Sequence, residues 1–102
     1  MAKREHTIYL FAAAVDMLRQ RLFERDSVEV ITAALNNARQ HFEALVRIEV
    51  GAPTELFTQF DVVTELVNQI AVGVESWEQA EQAAQAFDEG AATWLREMRE
   101  QD

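Results

Sequence analysis

The side chains able to do chemistry are few. The chain has two histidines, His6 and His41, and no cysteine. A zinc site would need imidazoles and carboxylates drawn to one point. The two histidines share no local spacing motif, and His41 borders an apolar stripe beside Phe42. Without cysteine there is no thiolate ligand, disulfide or thiol nucleophile, a composition that fits a reducing cytoplasm. Ser27 and Ser76 stand where helices begin and read as caps rather than nucleophiles. The pair Asp88-Glu89 has the groups for general acid–base work. On an exposed helix, with no cleft to desolvate them, such acids are only solvated. There is no glycine-rich phosphate loop. The expectation is a protein that is not an enzyme and uses neither metal nor cofactor.

Charge says more. The net charge is -9 over 102 residues. Residues 1–50 carry seven Lys or Arg against seven Asp or Glu, whereas residues 51–102 carry two Arg against eleven acids. No Lys or Arg lies between Arg47 and Arg96. Phosphate contacts need cations, so direct nucleic-acid binding by the C-terminal half is disfavoured, and anionic membrane surfaces with it.

Helices must position these groups, since the apolar residues recur at three- and four-residue intervals in four segments, about 7–24, 27–49, 54–72 and 77–99. In the first, Leu10, Phe11, Ala14, Val15, Leu18 and Leu22 form the main stripe. Lys3 and Arg4 before the apolar run Ile8–Val15 faintly suggest a signal peptide. Glu5, His6 and Asp16 interrupt that pattern, and the segment reads as a structural helix. In the second, Asp26 and Glu29 have capping-box spacing, and Val28, Ile31, Ala34, Leu35, Ala38, Phe42 and Leu45 face inward. Val46, Ile48 and Val50 alternate as a strand would, but the helical stripe continues through Leu45 and Ile48, which favours a helix ending before Gly51. Pro53 suits the start of the third helix. Its inner stripe is Leu56, Phe57, Phe60, Val63, Val67, Ile70 and Ala71, with Gly73 as a left-handed cap. The fourth opens with a Ser76–Gln79 capping box and buries Trp77, Ala80, Ala84, Phe87, Ala91, Trp94, Leu95 and Met98. Both tryptophans keep the spacing of core residues. The small Ala80, Ala83, Ala84 and Ala91 would admit a close neighbour. No run approaches the roughly 18 apolar residues of a membrane span. The expected fold is all-α: one helical domain over 1–102, a small four-helix bundle or a pair of helical hairpins, completed in one version by dimerisation.

Two surfaces are candidates. Glu78, Glu81, Asp88 and Glu89 share one arc of the fourth helix, and Glu55, Asp61 and Glu65 on the third would enlarge the negative field if the faces adjoin. Such a surface could meet a basic partner or imitate a nucleic acid's phosphates; the blander alternative is a solvated face. An ordinary solvated face mixes both signs, and this one does not. The second surface is the other side of the first helix, where Tyr9, Ala13, Met17 and Phe23 lie off the main stripe and could serve a homodimer. The leading expectation is a non-enzymatic protein that binds a basic protein or complex through its acidic C-terminal half. It would occlude a surface such as a nucleic-acid-binding site, as a phage-encoded inhibitor or an antitoxin-like partner would. The alternative is a structural or chaperone-like homo-oligomer whose acids only maintain solubility.

Overall fold

The computed structural model describes residues 2–100 and is built of four helices: α1 (Ala2–Phe23), α2 (Val28–Ile48), α3 (Thr54–Ala71) and α4 (Trp77–Glu100). No strand occurs among the described residues. The all-α bundle expected from the periodicity is therefore the fold. α1 packs against both α2 and α4, and α3 packs chiefly against α4. The α2–α3 seam is the loosest.

α1 begins about five residues earlier than its apolar pattern suggests, and the reason is tertiary. Arg4 forms an ion pair with Glu49 at the far end of α2 and donates to the Met98 carbonyl of α4 at 3.2 Å. These contacts tie the first turns of α1 to two other elements. They also bring Ile8 into the core, so that residues 8, 11, 15, 18 and 22 make a continuous inward row. Leu10, expected on that row, is only half-buried.

The turns follow local chemistry. At the end of α1, the Asp26 amide donates to the Arg21 carbonyl and the Arg25 amide to that of Leu22. This is the paired closure of a Schellman turn, which needs a left-handed residue at Arg25; its φ is 51°. The same pattern closes α3, from Val74 to Gln69 and from Gly73 to Ile70, with Gly73 at φ 92° as its spacing predicted. The cap of α2 is Ser27, whose hydroxyl accepts from the Val30 amide at 3.3 Å. Ser27 thus caps the helix as its position suggested, while Asp26, whose spacing to Glu29 offered an alternative capping box, is drawn to Arg21. α2 ends at Ile48, and Glu49 leaves it with extended backbone, so Val50 lies fully exposed in the loop rather than in a strand. Pro53 occupies the N-cap of α3.

The core centres on one aromatic ring from each helix: Phe11, Phe42, Phe60 and Phe87, with Trp94 beside them. Phe42 touches all of the others, with ring centroids 5.6 Å from Phe11, 5.8 Å from Phe60, 5.4 Å from Phe87 and 6.4 Å from Trp94. Edge-to-face geometry dominates, as the quadrupoles of the rings favour. On α4, Ala80, Ala84 and Ala91 are buried, and Gly90 lies close against Leu56 and Gln59 of α3. Three residues expected inside are not: Val28, Phe57 and Ala71 are exposed. Val28 and Phe57 lie on the flanks of α2 and α3 that face the loose seam, and Ala71 lies in the last turn of α3. Trp77 is half-buried, with the Arg25 guanidinium 5.9 Å above its ring. Ser76, rather than directing its hydroxyl only to its own helix, donates to Gln69 Oε1 at 2.7 Å and is itself buried.

Candidate functional site

Two contacts orient α4. Gly90 lies against Leu56 and Gln59 of α3, and Asp88 is ion-paired with Arg19 of α1 at 2.5 Å. At roughly 100° per residue, the flank carrying Asp88 also carries Glu78, Glu81 and Gln85, with Glu89 at its crest. The acidic arc of α4 therefore adjoins α1, not α3. The acids of α3 do not join it. Glu55 lies one turn before Gln59, on the flank that meets α4, Asp61 lines the opposite seam with α2, and Glu65 points to solvent between the two. The seven candidate acids thus occupy separate faces. The cause is register: positions 55, 61 and 65 are spread around α3, and only tertiary packing decides which flank each one joins.

Asp88 also differs from its neighbours. Its charge is paired with Arg19, which leaves Glu78, Glu81 and Glu89 as the carboxylates of this arc outside any ion pair among the described residues, with Arg25 lining the same small pocket as Glu78.

The same Arg19–Asp88 contact sorts the four candidates on α1. Asp16 and Phe23 are three and four residues from Arg19 and share its α4 flank, and Tyr9 sits near the outer crest beside them. Ala13 and Met17 lean the other way, toward α2. Tyr9 and Phe23 are strongly exposed, at 67% and 77%, and Met17 less so. The outcome is a composite α1–α4 face: carboxylates from Asp16, Glu78, Glu81 and Glu89 with the bare ring of Phe23 toward one end, and the bare ring of Tyr9 toward the other, where Arg96 and Arg99 share this flank of α4 about five turns beyond Glu78 and Glu81. Sequence reasoning treated the acidic arc and the aromatic pair as two surfaces, and left out Asp16. No local signal marked it, because its place on this face follows from Arg19 meeting Asp88 far along the chain.

Elsewhere, the loose α2–α3 seam leaves a groove of about 360 Å³ floored by Phe42, Phe57 and Phe60 and rimmed by Arg39, Arg47, Glu43 and Asp61. Arg39 is held there by Thr64 at 3.2 Å and Asn36 at 2.9 Å, over the Phe60 ring. No three His, Asp or Glu side chains converge among the described residues. His6 and His41 belong to the α1–α2 side of the bundle. No described helix is long and apolar enough to cross a membrane. Comparison of the chain with protein families, with curated proteins and with solved structures finds no match.

Proposed function

We propose that this protein is a non-enzymatic binding module whose α1–α4 face takes a basic surface of another protein, such as a nucleic-acid-binding site, and occludes it. The observation that carries the reading is the grouping of Glu78, Glu81 and Glu89, none of them in an ion pair among the described residues, on the same face as the exposed rings of Tyr9 and Phe23. Carboxylates on such a face steer a cationic partner into encounter, and their attraction weakens as salt screens it. Aromatic side chains then supply the short-range contact, since buried rings dominate the energy of protein interfaces. Steering and anchoring would thus come from one face. Nothing in this mode of action requires bond chemistry: the partner is blocked by occupancy and charge. A cytoplasmic setting, which a cysteine-free chain fits, suits a partner that handles nucleic acid.

The test is affinity capture from a lysate of the native host at low and high salt. The baits are the parent and the Glu78→Lys/Glu81→Lys/Glu89→Lys variant. These side chains point outward, so the variant should keep its helical circular dichroism. The reading expects a partner held by the parent at low salt, released at high salt and not held by the variant. A partner held equally by both baits, or held without regard to salt, overturns it.

A further inference from the structure

The surface between α1 and α2 differs from every other side of the bundle. Arg19, bonded to Asp88, marks the α4 flank of α1, and Arg39, bonded to Thr64, marks the α3 flank of α2. The opposite flanks of these two helices meet along their shared outer seam. On α1 that flank carries Leu10, Ala13 and Met17. On α2 it carries Val30, Ala33, Ala44 and Ile48. The polar members are His6, Asn37 and His41. From His6 to Gln20 and from Val30 to Ile48, no Asp, Glu, Lys or Arg lies on this side; at its end the Arg21 guanidinium, paired with Glu24, reaches back to Met17 Sδ at 3.4 Å. The positions 10, 13 and 17, and 30, 33, 37, 41, 44 and 48, advance by threes and fours, the repeat of a helix-packing seam. Each helix already has an inward row at other positions, so this is a second seam without an occupant inside the chain. Met17, Val30 and Ile48 are exposed by 40–44%.

We propose that this face is the contact between two copies of the chain, forming a symmetric dimer. Charge selects the occupant. Each copy carries -9, so two copies approach most favourably where neither presents charged side chains that the contact would have to desolvate. The α1–α4 side presents Asp16, Glu78 and Glu81. The α3–α4 side presents Glu55 and Glu97, which lie along from the Gln59–Gly90 contact. The α2–α3 side presents Glu43 and Asp61 together with Arg39 and Arg47, charges that a contact would have to desolvate. A two-fold axis sets a patch against itself, and only the α1–α2 patch sets a stretch free of Asp, Glu, Lys and Arg against itself. Its size is adequate. Eighteen residues of helix at about 1.5 Å each, across two helix widths of about 10 Å, bury on the order of 1,000 Å² in the pair, the threshold of a specific interface. Alanines at 13, 33 and 44 let the helices close in, while Leu10, Met17, Val30 and Ile48 fill the spaces between them. This interface keeps Ala13 and Met17, adds α2, and leaves Tyr9 and Phe23 outside on the α1–α4 face. It stands whether or not that face binds a basic partner.

Sedimentation equilibrium tests it. The parent should have about twice the 11.6 kDa chain mass. Ala13→Glu/Ala33→Glu should weaken dimerisation at least about 100-fold by setting like charges together. Ala86→Glu, on the α3–α4 side, should remain dimeric. Because the chain has no cysteine, a spin label on Ala33→Cys provides a second readout without a charge change. Mixed with isotope-labelled parent, it should broaden the amide signals of Leu10, Ala13 and Met17. A monomeric parent at millimolar concentration overturns the proposal, as does broadening centred on Val62 and Thr93.

Discussion

Gly90 sits mid-helix in α4, where glycine is the second-worst helix former. Replacing it with alanine in a free helix would stabilise by about 1 kcal/mol. In this fold the sign should reverse. A Cβ at position 90 would lie 2.9 Å from Leu56 Cδ2 and 3.0 Å from Gln59 Oε1. Comfortable carbon contact lies at about 3.5–4.0 Å, so Leu56 must give by about 0.6 Å or more. It has little room to do so, because its side chain is 1% exposed and packed in the core. Gln59 Oε1 is itself buried with no hydrogen-bond partner, so crowding it adds nothing favourable. Overpacking of this kind costs about 1–3 kcal/mol, which outweighs the propensity gain. Gly90→Ala should therefore destabilise by about 1 kcal/mol, lowering Tm by roughly 4–8 °C. Urea and thermal unfolding followed by circular dichroism measure it. The control is Leu56→Val, which removes the interfering Cδ2. In that background Gly90→Ala should turn neutral or stabilising, and the difference between the two backgrounds is the coupling of the contact. If Gly90→Ala stabilises the parent, or if the two backgrounds give the same change, α3 and α4 are not in the close register described.

Arg19→Ala should cost no more than about 1 kcal/mol, because the Arg19–Asp88 pair is partly open to solvent and screened; its side chains are 41% and 26% exposed. That loss should shrink at high salt in chemical denaturation, and a salt-independent loss would mean that Arg19 acts by packing. Phe42→Ala should destabilise by about 3–5 kcal/mol, since its ring touches the aromatic residue of every other helix. Phe23→Ala should change stability by less than about 0.5 kcal/mol, and comparable losses for the two in denaturant titration would refute the assignment of core and surface.

The sequence by itself determined the secondary structure and most of the core. Apolar residues at three- and four-residue spacing, Gly73 as a left-handed cap and Pro53 at a helix entrance are local signals, and each acts within one turn of chain. They place four helices and bury Phe11, Phe42, Phe60, Phe87 and Trp94 without any knowledge of neighbours. Charge segregation was equally legible, because it is a count along the chain. The side-by-side order of the helices was not, and that order assembles the surfaces. Periodicity tells which residues leave the core, but not which neighbouring helix stands beside them. Arg19 meeting Asp88 sixty-nine residues away decides that the acids of α4 join Asp16 and Phe23 rather than Asp61 and Glu65. Arg4 meeting Glu49 and the Met98 carbonyl decides that α1 runs on to Ala2 and that Ile8 displaces Leu10. Divergence of α2 from α3 leaves Phe57 half in view despite its place among apolar neighbours. Each of these outcomes depends on contacts between residues far apart in the chain, and no window of one helix contains both partners.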